Sequence, residues 1–329
     1  MVPIFTNNHI HPWLDIKPDE VITQIISILK DSVHKVLKKK GAVVAISGGI
    51  DSSVCAALTV EAFGRDNVYG LLLPESDSSP NSMILGEIVC KHLNINYEVI
   101  NITPVLEAFG CYNLRDNVVA SLFPDYNKSW KYKIVLNRNE YKENRLNHFI
   151  IVVETNTGDT MEKRLPIKEY LHLVSATNYK QRVRKTYEYY YADRMNYAVI
   201  GTPNRLEYDQ GFFVKNGDGS ADIKPIAHLY KSQVYLLGRA LGLPETICDT
   251  IPTTDTYSMK QSQDEFYFVL PYQKLDIILW GLNNNKTAEE IAFASNITKE
   301  QVIYAIQDII AKRKSSIPIH LSPILIENI

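Results

Sequence analysis

The chain has 329 residues, long enough for one large domain or two modest ones with a sizeable core. Its 35 Lys and Arg against 37 Asp and Glu leave a formal charge of −2, which argues against the broad basic field of a nucleic-acid binder. The four cysteines, Cys55, Cys90, Cys111 and Cys248, form no C-x-x-C pair, and no run reaches the ~20 apolar residues that span a bilayer, so zinc knuckles, redox dithiols and membrane spans are not expected.

The first residues, "MVPIFTNNHIHPWLD", lack a basic region followed by an apolar core, so no signal peptide is expected and a reducing cytoplasm is the default compartment. Residues 17–40 repeat apolar side chains at helical spacing (Val21, Ile25, Ile28, Leu29, Val33, Val36) and predict an amphipathic helix. "GAVVAIS" (41–47) is a continuous apolar run, as in a strand buried on both faces. "DSSVCAALTVEAFG" predicts a helix closed by Gly64, "NVYGLLLP" a second strand, "NSMILGEIVCKHL" a helix and "NYEVINI" a third strand. This alternation predicts an α/β fold with a doubly wound parallel sheet, whose ligands bind beyond the carboxyl ends of the strands.

Between about 110 and 175 the pattern changes. "WKYKIVL" and "FIIVVETNTGDTMEKRLPI" are rich in β-branched and aromatic residues, with a turn signal at Asn156–Asp159, and predict a strand-rich insertion or subdomain within a single domain covering 1–329. Alternation resumes with a helix over 178–195, the strand "YAVIG" (197–201) and the helix "KSQVYLLGRALG". Residues 260–329 read as a helical C-terminal region. Within it "TAEEIAFASNITKEQVIYAI" has helix-turn-helix spacing but no basic face, and is read as two packed helices.

One loop carries the chemistry. In "AISGGIDSSV" (45–54), Ser47-Gly48-Gly49 turns sharply out of a strand, and the helix that follows offers free N–H groups and its positive end to an anion. Ser52 and Ser53 add hydroxyl donors. The loop lacks the lysine of a Walker A motif, and it contains Asp51. Asp51 either caps the helix or holds Mg²⁺ between itself and phosphate; the loop alone leaves both open.

S-G-G-x-D-S resembles the pyrophosphate-binding loop of the N-type ATP pyrophosphatases, which cleave ATP between the α- and β-phosphates. A second block, "YAVIGTPNRLEYDQGFFVKNGDGSADIKPIAHLYK" (197–231), with "PTTD" at 252–255 and "QRVR" at 181–184, is similar to the ammonia-dependent NAD synthetases. The resemblance covers roughly 20–100 and 178–315. It implies the adenine nucleotide alpha hydrolase-like fold, and it implies roles. Ser47, Gly48, Gly49, Asp51, Ser52, Ser53, Arg182, Thr202, Lys231 and Thr253 would bind ATP. Asp51, Glu207 and Thr253 would hold Mg²⁺, and Asp51, Lys231 and Thr253 would carry catalysis. Lys215, Asp218 and Asp222 would hold the second substrate, nicotinic acid adenine dinucleotide. The implied reaction is adenylation of the nicotinate carboxylate, then attack by ammonia, releasing pyrophosphate and AMP. A homodimer is implied as well.

Three departures touch the acceptor end: "LPESDSSPNS" (73–82), the long 110–175 segment, and Ala311-Lys312-Arg313 where the family carries His-Lys-Arg. They leave open a divergent ligase that adenylates and amidates another carboxylate. No fused glutaminase domain is read, so ammonia would be free or supplied by a separate glutaminase. Nucleic-acid and membrane partners are not expected.

Overall fold

The structure, a computed structural model, describes residues 10–136, 149–250, 257–259, 261, 267–268 and 270–327. Helix α1 (Pro18–Lys30) buries Ile25 and Leu29, and a π turn over Asp31–Val36 continues it, so the predicted 17–40 helix ends early, before Lys38 at φ 56°. Strands β1 (Ala42–Ala45), β2 (Val68–Leu72) and β3 (Asn96–Val99) alternate with helices α2 (Ile50–Phe63) and α3 (Pro80–Leu93). Gly64, at φ 76°, closes α2 as its sequence predicts.

The parallel sheet has the order β3-β2-β1-β7, with β7 at Ala198–Ile200. Val43 of β1 pairs with Tyr69 on one side and Val199 on the other, so the chain leaves β1 in one direction and returns through β7 on its opposite flank. The crevice between the carboxyl ends of β1 and β7 is therefore the switch point at which such sheets bind ligands. Pleating sends Ala42 and Val44 to one face, where α1, α2 and Val234 and Leu237 of α8 (Lys231–Ala240) complete a core. Val43, Leu71 and Val199 face the other side. There they pack with Leu106 of α4 (Thr103–Ala108), Cys111 of α5 (Cys111–Leu122), and Val183 and Ala192 of α6 (Ile167–Met195).

A separate antiparallel sheet, β4 (Lys131–Leu136), β5 (Phe149–Glu154) and β6 (Thr160–Arg164), lies in the segment read as strand-rich, and the turn falls at 155–159 as expected. Tyr132, Ile134, Ile151 and Val153 form its buried face, packed on Val118 and Val119 of α5 and on Leu173 of α6. The 110–175 segment is thus not all strand. It holds α5, and α6 starts at Ile167 rather than 178, because Pro166 opens a helix that runs without a breaker to Asn196.

Helices α7 (Arg205–Gln210) and α9 (Glu245–Cys248) are short. The C-terminal helices α10 (Tyr272–Asn283), α11 (Ala288–Ser295) and α12 (Lys299–His320) share an apolar core of Leu275, Ile278, Leu279, Ile291, Val302, Ala305 and Ile309. The 287–306 stretch is a pair of helices packed on this core. Among the described residues no helix is long and apolar enough to cross a membrane.

Candidate functional site

Gly48 adopts φ 80°, and a Cβ there would lie 2.6 Å from Leu85 Cβ and 2.7 Å from the Ser82 carbonyl oxygen. Only glycine lets the β1–α2 loop turn this tightly beneath the start of α3. Gly49 is the N-cap of α2 and offers no side chain, so backbone N–H groups at the helix start stay available to an anion. The serines brace the turn. Ser52 Oγ accepts from Ser47 N–H at 3.2 Å and donates to the Gly49 carbonyl at 3.0 Å, and Ser53 Oγ donates to the same carbonyl at 2.8 Å. Ser53 is fully buried, so its hydroxyl holds the turn from below.

Asp51 stands in the first turn of α2 and faces a lysine from far along the chain. The Lys231 ammonium, at the first position of α8, donates to Asp51 Oδ2, and the Asn204 amide donates to Oδ1 at 3.1 Å. Burial works to lower the Lys231 pKa, but the carboxylates of Asp51 and Glu207 outweigh it and hold the ammonium protonated well above the ordinary lysine range. Both carboxylates also raise the pKa of the Cys55 thiol, itself pushed up chiefly by burial, so Cys55 is no nucleophile.

Glu207 is set by a capping box. Its N–H donates to Asn204 Oδ1 at 3.3 Å while its Oε2 accepts from Asn204 N–H at 3.1 Å. Asn204 therefore ties the start of α7 to the start of α2. The C-terminal helix fixes the far end of α7, where Arg313 grips Asp209 with Nε at 2.7 Å and Nη2 at 2.6 Å. Lys312 is turned inward onto Asp308 and the Tyr267 carbonyl.

Asp51 of α2 contacts the Lys231 ammonium and Glu207 of α7 acts on its charge, and two such carboxylates are a sensible pair of hard oxygen donors for Mg²⁺ shared with phosphate. Among the described residues no three His, Cys, Asp or Glu side chains group as a metal site by themselves. A cation there needs substrate oxygens, or a further ligand such as Thr253, which lies outside the described residues.

The predicted ATP and acceptor residues divide. Thr202 lies in the β7–α7 loop, at the switch point beside β1. Arg182 is exposed on α6, and its Nε donates to the Lys215 carbonyl at 3.4 Å. The structure does not gather Lys215, Asp218 and Asp222 at Asp51. The Lys215 ammonium donates to the carbonyls of Pro318 and Leu321 at 2.9 and 3.1 Å, holding the end of α12. Asp218 accepts from Val214 N–H at 2.7 Å, closing its own loop, where a Cβ on Gly219 would lie 2.2 Å from the Phe213 ring. Asp222 accepts from Val199 N–H at 2.8 Å and from the Tyr189 hydroxyl at 3.4 Å. Beside them runs an open groove of about 480 Å³ between α6 and the 216–220 loop, lined by Tyr189, Tyr190, Asn216 and Ser220.

The divergent stretch 73–82 carries a buried ion network. Lys180 of α6 donates to Glu75 at 3.0 Å and Asp77 at 2.6 Å, and Arg115 of α5 bonds both Asp77 and Asp116. Burial would raise the Asp77 pKa, but Lys180 and Arg115 bring it below the usual carboxylate range. The network seats this loop between α5 and α6, directly before the α3 residues that Gly48 touches. Asn204, Lys180, Arg115 and Asp276 were not singled out from sequence. Only Asn204 carried a local signal, the N-x-x-E spacing of a capping box.

A glycine turn at the end of a central strand, an open helix start, and a lysine paired with Asp51 and kept charged also by Glu207 make up the candidate site of this α/β protein. The NAD synthase family matches residues 21–151 and 114–316 of the chain. An "NH(3)-dependent NAD(+) synthetase" of Rhizobium meliloti (strain 1021) is 52% identical over 291 residues, covering 88% of this chain and 87% of that one. A protein of the same name from Rhizobium rhizogenes is 46% identical over 306 residues, covering 93% and 92%. The solved NMN synthetase of Francisella tularensis superposes with a TM-score of 0.64 at 26% identity, covering 94% of this chain and 99% of that one. The chain belongs to the NAD synthase family.

Proposed function

We infer that the chain is a carbon–nitrogen ligase that amidates nicotinic acid adenine dinucleotide with ammonia, at the expense of ATP, giving NAD, AMP and pyrophosphate. The observation that carries this reading is the convergence of the glycine turn, Asp51, Glu207 and Lys231 at the switch point in a chain of this family. The relatives close to half identical over nine-tenths of the chain carry the NAD(+) synthetase name, which disfavours a different acid as acceptor.

In this reading Ser47, Gly48, Gly49 and the first N–H groups of α2 cradle the β- and γ-phosphates, with Thr202 and Arg182 completing the ATP contacts. Asp51 and Glu207, with Thr253 as a third ligand, would hold Mg²⁺ against the phosphates, where its charge neutralises the leaving group. A nicotinate oxygen attacks the α-phosphorus and the bond to the β-phosphate oxygen breaks. Lys231 stabilises the charge that gathers on departing pyrophosphate, as cationic clamps do in phosphoryl transfer. Ammonia then adds to the acyl-adenylate carbonyl, a proton leaves the nitrogen, and AMP departs with the former carboxylate oxygen. No covalent enzyme intermediate is required, so positioning is the main task of the protein.

Lys215, Asp218 and Asp222 are assigned to the acceptor as builders of its loop, beside the groove on α6. A homodimer, a cytoplasmic location and ammonia taken free or from a separate glutaminase belong to the same reading; sedimentation tests the first.

The test is an assay of NAD, AMP and pyrophosphate with ATP, Mg²⁺, ammonium and nicotinic acid adenine dinucleotide. Equal release of all three supports the reading. Pyrophosphate release only with another acid, such as the corresponding mononucleotide, would overturn the acceptor. Full activity in Asp51→Ala would refute the metal assignment.

A further inference from the structure

Lys231 has to reach the polyphosphate from the first position of α8, so its reach depends on how that helix start is anchored. The anchor comes from another helix. Asp276 of α10 accepts from the Lys231 N–H at 3.3 Å, the Ser232 N–H at 2.7 Å and the Ser232 hydroxyl at 2.6 Å. Asp276 is fully buried and forms no ion pair among the described residues; burial works against its charge, and these donors, the positive end of α8 and the nearby Lys231 ammonium oppose that. A Ser or Thr cap at position 230 would reach the N–H of Ser232 or Gln233 and leave the Lys231 N–H unmet, whereas Asp276 takes the Lys231 N–H itself. Its distinctive product is a fixed main chain at Lys231, one side-chain length from Asp51.

We propose that Asp276 is a positioning residue for pyrophosphate binding and release, acting through the main chain of Lys231 to set where the ammonium meets the phosphates. Asparagine in its place keeps the volume and one oxygen for the two Ser232 donors, but turns an N–H₂ group toward the Lys231 N–H, so the main chain at Lys231 shifts. This rests on the polyphosphate role of Lys231 given above.

The test is binding of magnesium pyrophosphate by calorimetry, which needs neither acceptor nor turnover. Asp276→Asn is expected to weaken binding about 10-fold, and Lys231→Met at least as much. The double variant should bind as Lys231→Met does, because a residue acting through Lys231 has nothing left to position. A merely structural role would weaken binding by the same factor in both backgrounds, and that outcome overturns the proposal. So does wild-type affinity in Asp276→Asn. Should Asp276→Asn fail to fold, Ser232→Ala removes one of the three donors; it should weaken binding about 3-fold in the wild-type background and not in Lys231→Met, and no change overturns the proposal. Absence of binding to the wild-type protein removes the reading beneath it, and the proposal with it.

Discussion

The ammonium of Lys231 rests on Asp51, the carboxylate that a phosphate-bound cation would need. The two residues lie 180 positions apart, and each neutralises the other in a site where both are largely shielded from water. If Lys231 contacts phosphate as proposed, nucleotide binding separates the pair. Lys231→Met is therefore expected to bind Mn²⁺ more tightly than wild type in the absence of ATP, by about 10-fold, while losing turnover about 100-fold or more. Quenching of the free Mn²⁺ electron paramagnetic resonance signal measures the first. Weaker Mn²⁺ binding in the variant would contradict the exchange.

Asn204 links two elements, and two substitutions separate its roles. Asn204→Ala removes the cap of α7 and the hydrogen bond to Asp51, and should cost about 1 kcal/mol of stability and raise the KM for ATP. Asn204→Asp keeps the cap but buries a further carboxylate against Asp51, so the unfolding temperature should fall more than in Asn204→Ala and activity should fall with it. Thermal melts and ATP titrations decide, and equal stability losses in both would refute the division.

Lys180→Met removes the buried cation of Glu75 and leaves Asp77 with Arg115 alone. Breaking a buried ion pair from one side costs about 3–5 kcal/mol, so chemical denaturation should show a large loss. Because loop 73–82 leads into the helix touching Gly48, the KM for ATP should rise in the folded fraction. A stability change under 1 kcal/mol would mean that the network is solvated, on the usual worth of surface pairs.

Burial pushes the Asp276 carboxyl up to about 7, against the opposing hydrogen bonds of Ser232 and Lys231. Folding therefore favours the protonated form relative to the unfolded chain. The sign follows: between the ordinary carboxylate pKa and about 7 the native state holds more protons, so stability falls as pH rises through that window. One such group changes stability by at most about 1.4 kcal/mol per pH unit. The melting temperature of Asp276→Asn relative to wild type should accordingly rise from pH 5 to pH 8. A difference independent of pH would show that Asp276 keeps an ordinary pKa.

The amino-acid sequence alone determined what is local. The apolar run 41–47, the glycine pair, the helix start at Asp51 and the hairpin turn near Gly158 are set by residues adjacent in the chain, so periodicity and turn chemistry reveal them. The second block was legible because its spacing matches a family. Its chemistry alone did not single out Lys231 or Glu207.

The tertiary structure decided which distant charges meet. Lys231 on Asp51, Arg313 on Asp209, Lys180 on Glu75 and Asp276 under α8 each join residues more than 40 positions apart. No periodicity records such pairs, because each is fixed by how the helices pack on the two faces of the sheet and on the C-terminal core. It also turned Lys312 inward to the Tyr267 carbonyl and set the exposed Lys215 on carbonyls at the end of α12, acceptors that a sequence does not display. A charged side chain is local information. Its partner is a property of the packed fold, because burial makes an unpartnered charge too costly to keep.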